Sequence, residues 1–274
     1  MANPSLAFLG GGNMATSLIG GLISEGMSPH EIIVFDISAE KRCDLQSRFG
    51  IQVAESNGAA VDGTKTVVLA VKPQVLKNVC LEVATLVQQQ KPLVISIAAG
   101  VPSAALNTWF GANIPTVRCM PNTPALIKAG ASAMYATDTV SGAQREQAEQ
   151  LLRAVGTVAW IAEESLMDAV TALSGSGPAY FFYFMEALAQ AGIELGLPAD
   201  IAKQLTLQTA LGAASLAQQS NEDLATLRRN VTSPGGTTER ALLSMEANKV
   251  AEHLRNAVVA ANERGQELAK QFGG

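Results

Sequence analysis

The stretch Ser5-Leu-Ala-Phe-Leu-Gly-Gly-Gly-Asn-Met-Ala-Thr-Ser-Leu-Ile19 limits what this chain can fold into more than any other. Leu6, Ala7, Phe8 and Leu9 form an apolar run of strand length, and Gly10, Gly11 and Gly12 end it abruptly. Met14, Leu18, Ile19 and Leu22 then recur at helical spacing, so a strand, a glycine turn and a helix follow one another. That order suits a dinucleotide pyrophosphate. Gly10 permits the tight turn, Gly12 lets the backbone approach the phosphates, and the small Ala15 lets helix and strand pack closely. The anion would face free N–H groups at the head of the helix. Glycine turns also join strands to helices for packing reasons alone, but this one sits inside a βα unit.

The rest of the first half alternates apolar strands with helical segments, the pattern of a parallel sheet covered on both faces. Strands are expected at Glu31–Asp36, Gly50–Ala54, Thr66–Val71, Leu93–Ile97, Thr116–Cys119, Ala131–Tyr135 and Thr157–Ile161. Helices are expected at Ser38–Phe49, Gln74–Gln88, 103–110 and Ser141–Val155. From Glu163 onward the pattern is helical only. Pro178 suits the first turn of a long helix reaching Leu195, and Gly196-Leu-Pro198 ends it and starts the next. Asn221 can cap a helix with Glu222 and Asp223 in its first turn and Arg228 and Arg229 in its last. Two further helices run from Thr237 to about Ala247 and from Asn248 to about Gln271. The expected fold is an α/β Rossmann-type dinucleotide-binding domain over 1–163 and an all-α C-terminal domain over 164–274.

Apolar residues make up 48% of the chain against 16% charged, enough for a core without staples and a hint of a subunit interface. The net charge of −5, with no basic block, argues against nucleic acid as a partner. Cys43, Cys80 and Cys119 form no CxxC pair, and His30 and His253 have no metal-binding spacing. Neither a metal site nor a disulfide is expected. Residues 1–24 are uncharged but lack a basic n-region, and Ala169–Met185 contains Gly175, Gly177 and Pro178, a poor membrane span. The reading is a soluble, cytoplasmic protein with no membrane partner.

Ligands of open parallel sheets bind beyond the carboxyl ends of the strands, which singles out Gly10–Met14, Asp36–Ser38, Ala70–Pro73, Ala98–Val101 and Met120–Pro124. Asp36 stands where an acid meets the adenosine ribose 2′-OH. Ser38, Lys41 and Arg42 follow at once and could hold a 2′-phosphate instead, or Asp36 and Ser38 could simply cap the next helix. NADH and NADPH both stay open. A second signal is Val231-Thr-Ser-Pro-Gly-Gly-Thr-Thr238. Hydroxyls before a helix, with a Gly pair exposing N–H groups, make a small carboxylate cradle. The plainer reading of this turn is N-capping by Thr237.

Several motifs in order resemble pyrroline-5-carboxylate reductases: Phe8-Leu-Gly-Gly-Gly-Asn-Met14, Ala70-Val-Lys-Pro73, Ser96-Ile-Ala-Ala-Gly100, Arg118-Cys-Met-Pro-Asn-Thr-Pro124, Ser174-Gly-Ser-Gly-Pro-Ala-Tyr180 and Thr232-Ser-Pro-Gly-Gly-Thr-Thr238. The resemblance implies reduction of 1-pyrroline-5-carboxylate to L-proline by NADPH or NADH. The implied cofactor contacts are Leu9, Gly10, Gly11, Gly12, Asn13, Met14, Asn57, Ala70, Val71, Lys72, Pro73, Ile97, Ala98 and Ala99, beside Asp36 and Ser38. The implied substrate contacts are Ser233, Gly235, Gly236, Thr237 and Thr238, with the Thr238 hydroxyl near the ring nitrogen as the catalytic group. The family also implies a homodimer through the C-terminal helices, often built into a decamer. Gly11 departs from the family, where a small residue such as Ala is usual, without evident harm.

Two other readings compete. A β-hydroxyacid-type dehydrogenase places a Lys one turn into the first long C-terminal helix, but here Gly177-Pro-Ala-Tyr-Phe-Phe-Tyr-Phe-Met185 carries none and Lys203 is the first to follow. A non-catalytic dinucleotide sensor would have no use for the cradle at 231–238.

Overall fold

The structure, a computed structural model, describes residues 4–273. They fall into two compact units, one made of residues 4–176 with 261–273 and the other of Gly177–Ala260.

The first unit is built on eight strands: β1 (Leu6–Leu9), β2 (Ile32–Phe35), β3 (Gln52–Val53), β4 (Thr66–Leu69), β5 (Leu93–Ser96), β6 (Thr116–Met120), β7 (Gly130–Ala136) and β8 (Gly156–Trp160). They lie in the order β3-β2-β1-β4-β5-β6-β7-β8. The first six are parallel, and β7 pairs antiparallel with β6 and parallel with β8. The expectation of a parallel sheet therefore fails at one edge. A parallel neighbour needs a long crossover. Only the short 3-10 turn Thr123–Ile127 lies between β6 and β7, so the chain doubles back.

The central strands are buried at nearly every position, and their two faces feed two cores. Leu6, Phe8, Ile32, Val34, Val68, Ile95 and Val117 meet α1 (Asn13–Ser24), α2 (Ala39–Phe49) and α6 (Gly142–Arg153) through Leu18, Ile19, Leu45 and Leu151. Ala7, Leu9, Val67, Leu69 and Val94 meet α3 (Asn57–Val61), α4 (Pro73–Gln90) and α5 (Ser103–Phe110) through Val61, Leu76, Val83 and Phe110. Each fully buried Leu, Ile or Phe contributes roughly 1.5–3 kcal/mol. The helices start where the chemistry of their first residues allows: Ser38, Ser56 and Ser141 each accept a backbone N–H as N-cap, and Pro73 occupies the first turn of α4.

After β8 come α7 (Met167–Val170) and a π-helical turn, Thr171–Gly175. The second unit holds α8 (Gly177–Glu194), α9 (Ala199–Gln219), α10 (Leu224–Asn230) and α11 (Thr237–Ala247). The last helix, α12, spans Val250–Gly273. No strand occurs beyond Trp160 among the described residues. Asn221 is not the cap of α10; Asp223 is, its Oδ1 accepting the Thr226 N–H at 2.7 Å. The Ser220 hydroxyl instead takes the Glu222 N–H at 3.0 Å, which sets the helix start two residues later than expected. Within the second unit only Gly177 and Ala202 are buried, whereas Phe181, Phe182, Tyr183, Leu205 and Leu211 are exposed. No described helix is long and apolar enough to cross a membrane.

Candidate active site

The glycine turn lies where strand order reverses, since β1 is flanked by β2 and β4, the switch point at which open α/β sheets bind ligands. Gly10 has φ +106°, and a Cβ there would stand 2.6 Å from the Ala70 carbonyl oxygen. That glycine is required by the fold itself. Gly12, the N-cap of α1, is different. A Cβ at Gly12 would meet nothing within 4 Å, no side chain caps this helix and no acid lies in its first turn. The open space and the N–H groups at the head of α1 fit a dinucleotide pyrophosphate. At Gly11 a Cβ would press on Leu45 Cδ1 at 2.8 Å, the flexible end of a side chain, so the family's usual Ala would be accommodated by a small shift.

The other loops named from the sequence gather at the same edge. A Cβ at Gly10 would also meet Val71 Cγ1 at 3.0 Å, and the Ile97 N–H donates to the Leu69 carbonyl at 3.2 Å. Lys72 is the N-cap of α4 through its backbone, with its side chain exposed and Pro73 behind it. Ala98 is buried, Ile97 and Ala99 partly so. Asn57 opens α3, is buried, and donates from Nδ2 to Glu82 at 2.8 Å. Asp36 accepts the Gly11 N–H on Oδ2 at 2.8 Å and the Ser38 N–H on Oδ1 at 2.9 Å. Ser38 caps α2.

The second cradle belongs to the helical unit. Gly235 has φ +72°, and the Gly236 N–H closes the turn onto the Ser233 carbonyl at 3.0 Å. Gly236, not Thr237, is the N-cap of α11, and Thr237 is the first helical residue. The capping reading of the Thr237 hydroxyl is thereby replaced: no side chain caps this helix. A helix head of this kind leaves its first N–H groups unpaired, and Ser233, Thr237 and Thr238 bring three hydroxyls to the same turn and first helical residues. Glu239, passed over in the sequence, accepts the Gly235 N–H on Oε2 at 2.8 Å and holds the turn. Its signal was present, because an acid three residues into a helix commonly reaches back to the N-terminal backbone.

Two residues of the Arg118–Pro124 motif anchor the α/β unit through partners that the motif does not name. The Arg118 guanidinium, 6% exposed, donates to Glu164 Oε1 at 2.6 Å. The Ser103 N–H and hydroxyl donate to the same carboxylate at 2.7 and 2.6 Å. Burial pushes the Glu164 carboxyl up, but the Ser103 and Arg118 donors outweigh it and hold it below the usual range. Burial raises Asp168 against the pull of Arg118. Asn122, also buried, donates to the Ser174 carbonyl at 3.0 Å and accepts the Ala131 N–H at 2.9 Å, tying the loop after β6 to the π-helical turn. The motif contains Arg118, but nothing in the sequence pairs it with Glu164. Burial lifts Cys80 and Cys119 to about 12, so these thiols stay protonated. The described residues contain no group of three or more His, Cys, Asp or Glu able to hold a metal.

Sheet order, glycine turn and open helix head define a Rossmann-type dinucleotide-binding protein with a helical extension. Residues 5–100 match a family model described as "NADP oxidoreductase coenzyme F420-dependent", and residues 164–268 match one described as "Pyrroline-5-carboxylate reductase dimerisation". The pyrroline-5-carboxylate reductase of Pseudomonas aeruginosa is 52% identical over 273 residues, covering 100% of both chains. That of Pasteurella multocida is 41% identical over 99% of this chain and 100% of its own. A solved pyrroline-5-carboxylate reductase from Coxiella burnetii superposes with a TM-score of 0.93 at 41% identity, covering 98% of this chain and 99% of that one. The Plasmodium falciparum enzyme, solved with NADP bound, gives 0.86 at 29% identity, with 98% and 99% covered. The chain belongs to the pyrroline-5-carboxylate reductase family, and its C-terminal region is the family's dimerisation region.

Proposed function

We propose that this protein reduces 1-pyrroline-5-carboxylate to L-proline with NADPH or NADH, the last step of proline biosynthesis. The observation that carries the reading is the head of α11, where no side chain caps the helix and the turn and first helical residues carry the hydroxyls of Ser233, Thr237 and Thr238. Such a head suits a single carboxylate. Ser233, Gly236 and Thr237 bind the carboxylate of the ring, with Gly235 supplying the left-handed bend. The bound dinucleotide supplies hydride from C4 of its nicotinamide to C5 of the substrate. Leu9, Gly10–Met14, Asp36, Ser38, Asn57, Ala70–Pro73 and Ile97–Ala99 hold it at the sheet edge.

The substrate is a cyclic imine whose protonated form is already electrophilic at C5, so no strong protein acid is required. Orientation and exclusion of water supply most of the rate. The Thr238 hydroxyl donates a hydrogen bond to the ring nitrogen as its lone pair develops. In this reading residues 1–163 bind the dinucleotide, and 164–274 bind substrate and form a homodimer that assembles further into decamers. The exposed apolar side chains of α8 and α9 support such pairing. The enzyme works in the cytoplasm, with no nucleic-acid or membrane partner.

The experiment is steady-state kinetics on 1-pyrroline-5-carboxylate, following loss of NADPH or NADH. A hydrogen bond to a charged or charging group is worth about 1.5–3 kcal/mol. Thr238→Ala is therefore expected to lower kcat by about tenfold or more, and Ser233→Ala chiefly to raise KM for the imine. Unchanged kinetics in both variants would remove this turn from the mechanism.

A further inference from the structure

The loop between β5 and α5 is held by a residue far along the chain, and that hold bears on the cofactor, given the reading that Ile97–Ala99 contact a dinucleotide. In the sheet order β5 lies three strands from β2, about 14 Å at ordinary strand spacing. The end of β2 is where an adenosine ribose is met, so the loop after β5 serves the nicotinamide end.

This loop has few hydrogen bonds of its own. The Ile97 N–H is bound to the Leu69 carbonyl at 3.2 Å, and Gly100 takes φ +73°. The N–H groups of Ala98, Ala99, Gly100 and Val101 find no hydrogen-bond partner among the described residues. The far end of the loop is the head of α5, where Pro102 is the N-cap and no local side chain caps the helix. Ala105, Leu106, Trp109 and Phe110 fix the body of that helix in the second core. The cap comes instead from Glu164, 61 residues further on, whose side chain is 24% exposed. Its Oε1 accepts the Ser103 N–H at 2.7 Å and its Oε2 the Ser103 hydroxyl at 2.6 Å. The same Oε1 accepts from Arg118 Nη1 at 2.6 Å, on β6, the strand next to β5.

We infer that Glu164 is a positioning residue for the reduction: by capping α5 and tying its head to β6, it fixes where Ile97, Ala98 and Ala99 present their backbone to the dinucleotide. Two bonds from one carboxylate to a single residue set that residue's direction as well as its distance. A misplacement of about 1 Å away from the chemistry can cost on the order of a hundredfold in rate, so a slight slackening of this loop is enough to be felt. The imine cradle is braced by its own turn and by Glu239, and its affinity does not depend on this link.

The test compares Glu164→Ala and Ser103→Ala with the wild type, each as the full-length protein and at a temperature below every melting transition. Calorimetry with NADPH and with NADH reads cofactor affinity, and steady-state kinetics read KM for cofactor and for imine. Glu164→Ala is expected to weaken both cofactors by about fivefold or more, since a hydrogen bond to a charged group is worth more than that when fully expressed. Its KM for the imine is expected to stay in place. Ser103→Ala keeps the Arg118–Glu164 pair, so it should melt close to the wild type and still weaken both cofactors, by a smaller factor. The double variant is expected to bind as Glu164→Ala does, because both changes cut one link. Wild-type cofactor affinity in either single variant, or losses that multiply in the double variant, overturns the assignment. So does a fall in kcat with both KM values unmoved, which is what loss of folded protein alone produces. Failure of the wild type to bind either cofactor would instead sink the reading of the dinucleotide site.

Discussion

The α/β unit and the helical unit use apolar residues in opposite ways. In the first, side chains alternate across each strand and close two cores, so Phe8, Leu9, Ile95 and Phe110 are all but inaccessible. In the second, a helix as apolar as α8 leaves Phe181, Phe182 and Tyr183 more than 60% exposed. Small residues such as those of Ala210-Leu-Gly-Ala-Ala-Ser215 let helices approach closely but cannot enclose large neighbours. Isolated soluble chains rarely leave this much contiguous apolar surface open. The lesson is that one unit is stable by its own packing, while the other is built to be finished by association.

The sharpest way to break that contrast is a charge on the open face. Each buried Phe is worth roughly 1.5–3 kcal/mol, and a two-fold interface counts every change twice. Phe182→Glu is expected to yield a single-chain species in sedimentation and to abolish turnover. An unchanged assembly would show that α8 faces no partner.

A smaller effect is expected inside the α/β unit, where the chain supplies its own partners. Glu164→Ala leaves Arg118 buried and unpaired, which should cost about 3–5 kcal/mol. For a unit of this size that is a fall of roughly 10 °C in Tm, measured by calorimetry without change in oligomeric mass. The sign of the pH effect follows from the direction of the shift. Glu164 is held below its ordinary value in the folded state, so its contribution is present above the unfolded value of about 4.3 and is lost as pH falls through the folded one. The stability gap between wild type and Glu164→Gln should therefore narrow below about pH 4. Asp168 works in the opposite sense. Its folded value is raised by burial, so its stabilising contribution fades as pH climbs through that value.

The smallest effect is expected at Ser96. Its hydroxyl is buried without a hydrogen-bond partner among the described residues, so Ser96→Ala removes a desolvated polar group. Stability should change by less than about 1 kcal/mol or rise. A loss of several kcal/mol by denaturant titration would mean that the hydroxyl has work of its own at the end of β5.

Where signals are local, the fold could be read directly. Apolar runs such as Thr66-Val-Val-Leu69, bounded by Thr64-Lys65 and Lys72-Pro73, mark strands whatever surrounds them, and all eight strands lie where such runs predict. The reversal of β7 was harder, because strand direction depends on how the connection packs rather than on the strand itself. The Asn221 cap failed for a related reason: Ser220, Asn221 and Asp223 are all good caps, and competing hydrogen bonds selected the last. Arg118 and Glu164 are 46 residues apart in sequence, and no periodicity links them. The glycine turn and the Thr232–Thr238 turn were legible as motifs because each packs its needs into a few neighbouring residues. Which of their N–H groups remain free was not. Glu239 on Gly235 and Asp36 on Gly11 use donors that the motif alone would leave free.

The placement of the three thiols gives the molecule a built-in gauge of its own integrity. Cys80 and Cys119 are sealed in separate cores, with their protons held to about pH 12, and only Cys43 on α2 is open to solvent. An alkylating reagent attacks thiolates, so native molecules should take up one label quickly and two more only as fast as each face of the sheet opens. The two slow labels report on opposite sides of the same sheet, and the order in which they arrive tells which side lets go first.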